Sequence, residues 1–522
     1  MRFCRAGFAG FVAVALAIGA AVAQTESAQP DNAALLKRLD EQDRRIKELE
    51  RRLESQTGFS QPAVTSSRPS SAAPAGSAEL PATPPAERSR ATSASSFTGA
   101  APGVPVIATA GPTGYSLQTA DRSSSIRFHA NLAVDGRYYS SGAPSTADTW
   151  LLRQVRPYID GTIDKIFDYR LVPDFANGKT IILDAYADAR FKPWFVVQAG
   201  KFKGPIGLER LQFSPYNRFI ELGLTSDLVP NRDLGLQVAG DVAAGLFSYA
   251  FGGFDGVTDG TSTDASPSAD VNNDYGHLDW EGRVFARPFA HSGNFFFKGL
   301  GIGIAATRAD TTGTPGSPAA GSVAAVTSNA LLPSYRTPGQ RVFFSFRGGA
   351  TPSFADGERI RWSPQFYYYA GSFGLVGEYV ESKQDIGRQV SATVSRSATL
   401  SNKAWQLTAA YFLTGEEENY YGFTPKSPFQ VGGPGWGAFE LALRVHELTI
   451  DDAAFAGGAA SFADPSAAAR QARAIGGGVN WWLNQNLRWM LDYEVTRFDG
   501  GAAHGANRSD ERALLTRFFL AF

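Results

Sequence analysis

The residues of this chain that could do chemistry lie in segments where polar and apolar side chains alternate. In "DYRLVPDF", Asp168, Arg170, Val172 and Asp174 share one face and Tyr169, Leu171, Pro173 and Phe175 the other, since successive side chains of an extended strand point to opposite sides. "IILDAYADARF" sets Asp184, Tyr186, Asp188 and Arg190 against Ile181, Leu183, Ala185, Ala187, Ala189 and Phe191. "RIRWSPQFYYY" opposes Arg359, Arg361, Ser363 and Gln365 to Ile360, Trp362, Pro364 and Phe366. In "GAFELALRVHEL", Glu440, Arg444 and His446 oppose Phe439, Leu441, Leu443 and Val445. "LRWMLDYEVT" puts Arg488, Asp492 and Glu494 against Leu487, Trp489, Leu491 and Tyr493. A guanidinium offers paired donors to an oxyanion, and hydroxyls or backbone N–H groups can replace its water, so the arginines on such faces could hold anions. Arginines expected on such faces include Arg156, Arg170, Arg190, Arg361 and Arg444. With them go Arg210, Ser214, Arg218 and Arg232 of the intervening "KGPIGLERLQFSPYNRFIELGLTSDLVPNR".

The same faces are rich in acid. Arg156, Arg170, Arg190, Arg283, Arg287, Arg359, Arg361, Arg444, Arg488 and Arg517 stand beside Asp160, Asp168, Asp174, Asp184, Asp188, Asp241, Asp279, Glu281, Glu378, Glu440, Asp492 and Glu494. A mixed face that separates into basic and acidic walls would orient zwitterions or sugars as readily as phosphate. Acid and histidine could also support hydrolysis, and His446 with Glu440 is the nearest approach to such a cluster. Yet the chain has 5 histidines and no HExxH, GxSxG or phosphate-cradling glycine loop, so a barrel-embedded hydrolase ranks last. No catalytic residue, metal ligand or cofactor is assigned. With 49 basic and 50 acidic residues, the net charge of -1 gives no general attraction for nucleic acid.

The elements that carry these residues are strands. "MRFCRAGFAGFVAVALAIGAAVAQ" has Arg2 and Arg5 before an apolar run and ends on small residues at Ala21 and Ala23, a signal peptide over residues 1–23. Its Cys4 is the only cysteine, so the exported chain has neither disulfide nor thiolate metal site. Beyond it no stretch approaches the roughly 20 apolar residues of a transmembrane helix, and a closed barrel is the other way to satisfy every backbone polar group in lipid.

From Tyr115 the period-two pattern predicts an all-β, 16-stranded antiparallel transmembrane barrel over 115–522. Its strands fall near 127–140, 151–162, 164–176, 180–191, 194–202, 233–242, 246–255, 278–288, 298–308, 359–370, 373–382, 403–414, 436–447, 473–484, 487–498 and 512–522. The connections 203–232, 256–277, 309–358, 383–402 and 448–472 fall on one rim and mostly tight turns on the other, as in an outer-membrane barrel. Residues 415–435 break that rule, and "RVFFSF" at 341–346 is assigned to a loop. Phe518, Leu520 and Phe522 are expected to face lipid. A barrel this wide encloses water, and the semi-apolar connection 203–232 is expected to fold inward as its constriction.

Two segments precede the barrel. Residues 24–56 contain a heptad, with Leu39, Ile46 and Leu53 at one core position and Leu35, Gln42, Leu49 and Gln56 at the other, a short coiled coil favouring self-association. Residues 57–114, rich in Pro, Ser, Ala and Thr, read as a disordered linker.

Several segments resemble the phosphate-selective porins O and P of bacteria: "RPYIDGTIDKIFDYRLVPDFA", "LDAYADARFKPWFVVQAGKFKGPIGLERLQFSP", "WQLTAAYFLTGEE", "GPGWGAFELALRVHELTID", "GVNWWLNQNLRWMLDYEVTRF" and the terminal strand. The resemblance implies a homotrimeric outer-membrane porin for passive diffusion of small polar solutes, phosphate or other anions among them. Its partners would be membrane lipid and the solute, with coil and linker in the periplasm, where they could also tether peptidoglycan. It makes candidate anion ligands of Arg153, Arg156, Arg170, Arg190, Lys201, Lys203, Arg210 and Ser214, which lie in matching segments, beside Arg218, Arg232, Arg361 and Arg444. The chain departs where paired arginines are expected, reading Arg153 then Gln154, and where paired serines are expected, reading Phe213 then Ser214. Strict alternation turns Arg153 outward unless a bulge intervenes.

Overall fold

A computed structural model describes residues 104–111, 114–140, 148–178, 180–263, 277–313, 330–391 and 393–522. The expected signal peptide, the coil and the linker up to residue 103 lie outside the described residues. The end of that linker is corrected: Val106–Gly111 is strand β1, paired with β2 (Gly114–Thr119) in a hairpin whose second strand joins the start of β3.

Sixteen strands form the barrel: β3 (Ser125–Tyr139), β4 (Thr149–Ile163), β5 (Phe167–Asp174), β6 (Ile181–Lys192), β7 (Phe195–Phe202), β8 (Asp233–Val242), β9 (Phe247–Phe254), β10 (Asp279–Ala286), β11 (Leu300–Thr312), β14 (Ser353–Ala370), β15 (Phe373–Gln389), β16 (Ser395–Phe412), β17 (Ala438–Thr449), β18 (Ala469–Trp482), β19 (Leu487–Gly500) and β20 (Glu511–Ala521). Each pairs antiparallel with its neighbours, and β20 closes the ring on β3 from Ala513 opposite Tyr139 to Ala521 opposite Asn131. Closure leaves no free sheet edge around the wall, which a strand in lipid requires. The strands β12 (Ser334–Arg336) and β13 (Val342–Ser345) pair only with each other, so the "RVFFSF" stretch stays outside the wall as expected.

Alternation sorts the two faces. On β17, Leu443 is 67% exposed and its neighbour Arg444 1%. Phe518 and Leu520 point outward while Arg517 and Phe519 point inward. Among the register shifts of the wall, two bear on the lumen, each an extra residue that re-aims its side chain. Ala133 pairs with Gln154 and Val134 with Leu152, leaving Arg153 unopposed, which turns it to the lumen. Likewise Val172 pairs with Asp184 and Pro173 with Ile182. The intervening Leu183 therefore joins Ile181, Tyr158 and Val172 in an inner cluster, and not the outer face that alternation gave Ile181 and Leu183.

The rims also differ from expectation at one hairpin. β15 and β16 rise well above their expected ends, so the connection expected over 383–402 shrinks to 390–394. Inside the long-loop half, Tyr335, Phe343 and Phe344 of the β12–β13 hairpin pack with Phe455 and Phe462 of the connection after β17. Ile206, Leu224 and Leu228 from the connection after β7 complete this core.

Candidate functional site

Residues 203–232 leave β7, enter the lumen and return at β8. They include one helical turn, α1 (Leu208–Leu211), and 3-10 turns at Ser214–Tyr216 and Leu224–Leu228. A segment this irregular has few internal backbone hydrogen bonds, so its polar groups need other partners. The wall from β15 to β20 supplies them. Leu208 N donates to Glu378 Oε1 at 2.6 Å, Ile220 N to Asp492 Oδ2 at 2.6 Å and Leu224 N to His446 Nδ1 at 3.0 Å. The loop carbonyls are matched too: Arg488 donates to Pro215 O at 2.9 Å, Asn480 to Arg218 O at 2.9 Å, Arg444 to Glu221 O at 3.0 Å and Arg517 to Ile220 O at 2.9 Å.

A second segment enters from the other rim. The connection 413–437, the long one on the short-turn side, meets the inward loop through an Arg218–Glu418 ion pair. Gln212 donates to Tyr420 O at 2.9 Å and the Tyr420 hydroxyl to Leu208 O at 2.6 Å. Burial pulls the Arg218 guanidinium down, but Glu418 and Glu440 outweigh it and hold it above its ordinary range. Arg218 is therefore a charged rivet between two loops.

The consequence is a lopsided lumen. The loop covers the β15–β20 wall, and the space left open lies against β3 to β7. A cavity of about 480 Å³ is lined by Arg153, Gln154, Arg156, Asp174, Lys203, Arg210, Ser214, Glu221, Asp227, Arg232, Arg336 and Arg517, among others. An adjoining cavity of about 260 Å³ is lined by Asn131, Tyr158, Arg170, Asp184, Tyr186, Gln198, Phe202, Leu211 and Phe213, among others. Arg156, Lys203, Ser214 and Arg232 line both, and so stand where the two meet.

Seven of the twelve expected residues are brought together here: Arg153, Arg156, Arg170, Lys203, Arg210, Ser214 and Arg232. Five are not. Lys201 is opposite Ala185 and Leu234, on the outer face, because it is one residue from the inward Phe202. Arg190 pairs with Asp168, its side chain 58% exposed, close to the turn after β6. Arg218, Arg361 and Arg444 are locked in buried ion pairs: Arg218 with Glu418, Arg361 with Asp259 at 2.7 Å and Asp279 at 3.0 Å, and Arg444 with Glu209 at 3.2 Å and with Glu494. His446 meets Glu494 at 3.1 Å, not Glu440, and its other ring nitrogen accepts from Leu224, so both nitrogens hold structure.

Arg336 and the aromatic residues went unassigned from sequence. Arg336 lies in a long connection with no periodicity to reveal it. Tyr158 shares its strand face with Arg156, and that spacing could have placed it.

The acids that rivalled the arginines in the sequence are largely taken up by the fold. Glu378 and Asp492 accept loop N–H groups, Glu440 accepts from Asn480 and Trp482, and Asp279 binds Arg359 and Arg361. In the cavities, Asp174 takes Arg156 at 2.7 Å, Asp184 takes Arg232 at 2.7 Å, and Glu221 takes Arg137 at 2.8 Å and Arg153 at 3.4 Å. Eight cations (Arg153, Arg156, Arg170, Lys203, Arg210, Arg232, Arg336 and Arg517) line the two cavities with four acids (Asp174, Asp184, Glu221 and Asp227). Burial would raise the Glu221 carboxyl, but Arg153, Arg517 and Arg137 hold it below its ordinary range. Burial pushes Asp227 up to about 7, Arg210 down to about 10, and the Lys203 ammonium well below the usual lysine range.

A closed sixteen-strand barrel with an apolar exterior, an inward loop and a polar cavity is the build of a membrane channel. The family model for phosphate-selective porin O and P matches residues 126–296 and 341–522, more than half of the chain, and the chain belongs to this family of outer-membrane channels for small solutes, not to an enzyme family. No curated protein matches it. Among solved structures it is similar to OmpT of Vibrio cholerae (9% identity, 77% of this chain and 98% of that one, TM-score 0.45). It is also similar to the channel DcaP of Acinetobacter baumannii (8% identity, 78% and 99%, TM-score 0.47) and to an anion-selective porin from Comamonas acidovorans (12% identity, 76% and 100%, TM-score 0.45).

Proposed function

We propose that this porin passes small anions, phosphate among them, along the β3–β7 side of its lumen, with Arg156, Lys203, Ser214 and Arg232 at the narrowest, most basic point. The observation that carries this reading is the excess of cations over acids around the open space, while the acids of the opposite wall are tied to the inward loop. A ring of arginine and lysine favours anions by field and by paired donors. Arg153, Arg170 and Arg210 extend the basic lining on either side. A zwitterion is the second reading, favoured by Asp174, Glu221 and Asp227 on the same cavity wall.

The heptad between Leu35 and Gln56 supports a homotrimer, with the coil and linker in the periplasm and within reach of peptidoglycan. Block of the chloride current in a planar bilayer tests the solute. Phosphate is expected to reduce the current at concentrations where a neutral sugar does not. Block by the sugar, with phosphate inert, would exclude the anion reading.

A further inference from the structure

The smaller cavity is built differently from the larger one. Tyr158, Tyr186, Phe202 and Phe213 give it aromatic walls, and Val172 and Leu211 add aliphatic surface. Its cations are not equivalent. Arg156 is held by Asp174 at 2.7 Å and Arg232 by Asp184 at 2.7 Å, while Lys203 Nζ donates to the carbonyls of Arg210 at 2.5 Å and Gln212 at 3.0 Å. Among the described residues, Arg170 alone of these four makes neither an ion pair nor a side-chain hydrogen bond; its Nε is buried without an acceptor. Its guanidinium carbon lies 4.9 Å from the centre of the Tyr158 ring and 5.7 Å from that of Phe213. Close to both rings, it keeps its buried Nε donor unused.

One uncommitted guanidinium matches one negative charge, and its flat donor edge can take a carboxylate through two parallel hydrogen bonds. Aromatic walls give nothing to a fully hydrated oxyanion, but they reward a planar apolar body by burial and by ring-to-ring contact. Its volume of about 260 Å³ lies just below the roughly 300–1,000 Å³ of small-molecule pockets and suits a small ligand. We propose that this cavity is a binding site for monocyclic aromatic carboxylates, the ring against Tyr158, Tyr186 and Phe213 and the carboxylate on Arg170. The proposal rests on the anion-channel reading and narrows its solute class.

The test uses the full-length protein in a planar bilayer, with benzoate, acetate and inorganic phosphate added separately to a chloride current whose reversal potential is recorded first. Benzoate is expected to half-block the current at a concentration about tenfold or more below that of acetate, and below that of phosphate. Phe213→Ala and Arg170→Gln, each checked for heat-modifiable folding, should bring benzoate to within about threefold of acetate. Arg308→Gln, an exposed ion-pair residue on the outer part of β11, should keep the benzoate preference. Equal block by benzoate and acetate, or stronger block by phosphate, in a channel that remains anion-selective would overturn the aromatic site and leave the anion reading standing. A cation-selective reversal potential would overturn both.

Discussion

Arg218 and Glu418 form an ion pair between two loops that enter the barrel from opposite rims. Neither loop reaches its place by strand pairing, and both side chains are almost fully buried, at 6% and 2% exposure. The pair therefore joins the inward loop 203–232 to the connection 413–437 from the opposite rim.

Removing one charge of a buried pair typically costs about 3–5 kcal/mol when the other is left without compensation, and less here because Glu440 Oε1 stays 3.5 Å from Arg218. Glu418→Gln should loosen residues 203–232 from the wall. Single-channel recordings are expected to show a higher mean conductance and more open-channel noise than the native protein. A trace indistinguishable from the native one would show that the join does not set the constriction.

Gly422 provides an independent way to the same result. Its φ of +106° disfavours a side chain, and a Cβ there would run into the ring of Tyr216. Gly422→Ala should push the two loops apart and give the same rise in conductance and noise as Glu418→Gln, without any change in charge. A smaller or unaltered conductance would argue that the loops are not braced against each other here.

Arg156 and Arg444 separate selectivity from stability. Both are inward-facing arginines, but Arg156 lines the open cavities and Arg444 lies beneath the loop between Glu209 and Glu494. Arg156→Gln removes a cation and uncovers Asp174, so the chloride-to-potassium permeability ratio should fall on the order of twofold to fivefold. Arg156→Gln with Asp174→Asn should recover most of the loss. Arg444→Gln should lower the temperature of heat modification by several degrees. A larger selectivity change in Arg444→Gln than in Arg156→Gln would contradict the placement of the open path.

Asp227 lines the larger cavity, and burial lifts its pKa to about 7. Below that pH it is protonated and neutral; above it a negative charge joins a basic wall. Anion selectivity should therefore decline as pH rises from about 6 to 8. Asp227→Asn should flatten the profile in that window. A selectivity that increases with pH, or a decline that survives in Asp227→Asn, would assign the titration elsewhere.

The period-two pattern made the wall legible because strand side chains alternate without regard to what lies inside, which is why Arg359, Arg361, Arg444, Arg488 and Arg517 all point inward as expected. Alternation fails where one residue is inserted, and Arg153 and Leu183 are such residues; a bulge leaves no mark in composition. The height of β15 and β16 was hidden for another reason. Above the membrane the outer face no longer meets lipid and turns polar, while the inner face mixes Gln384 and Arg388 with the buried Ile386, so their outer ends read as loop. The division of charge was least legible of all. Glu378 and Asp492 are bound by the backbone N–H groups of Leu208 and Ile220, and a backbone donor is the same at every residue. A tally of arginines and acids therefore counted carboxylates that the inward loop had already taken.

The reversal potential of the purified protein in a planar bilayer, under a potassium chloride gradient at about pH 6, reads the charge of the open path without reference to any particular solute. With the acids of the far wall bound to the loop and the arginines of the near wall facing the cavity, the potential is expected to have the sign of chloride permeation. A potential with the sign of potassium permeation would mean that the unspent charge in the lumen is negative, and the basic path along β3 to β7 would not be the route that ions take.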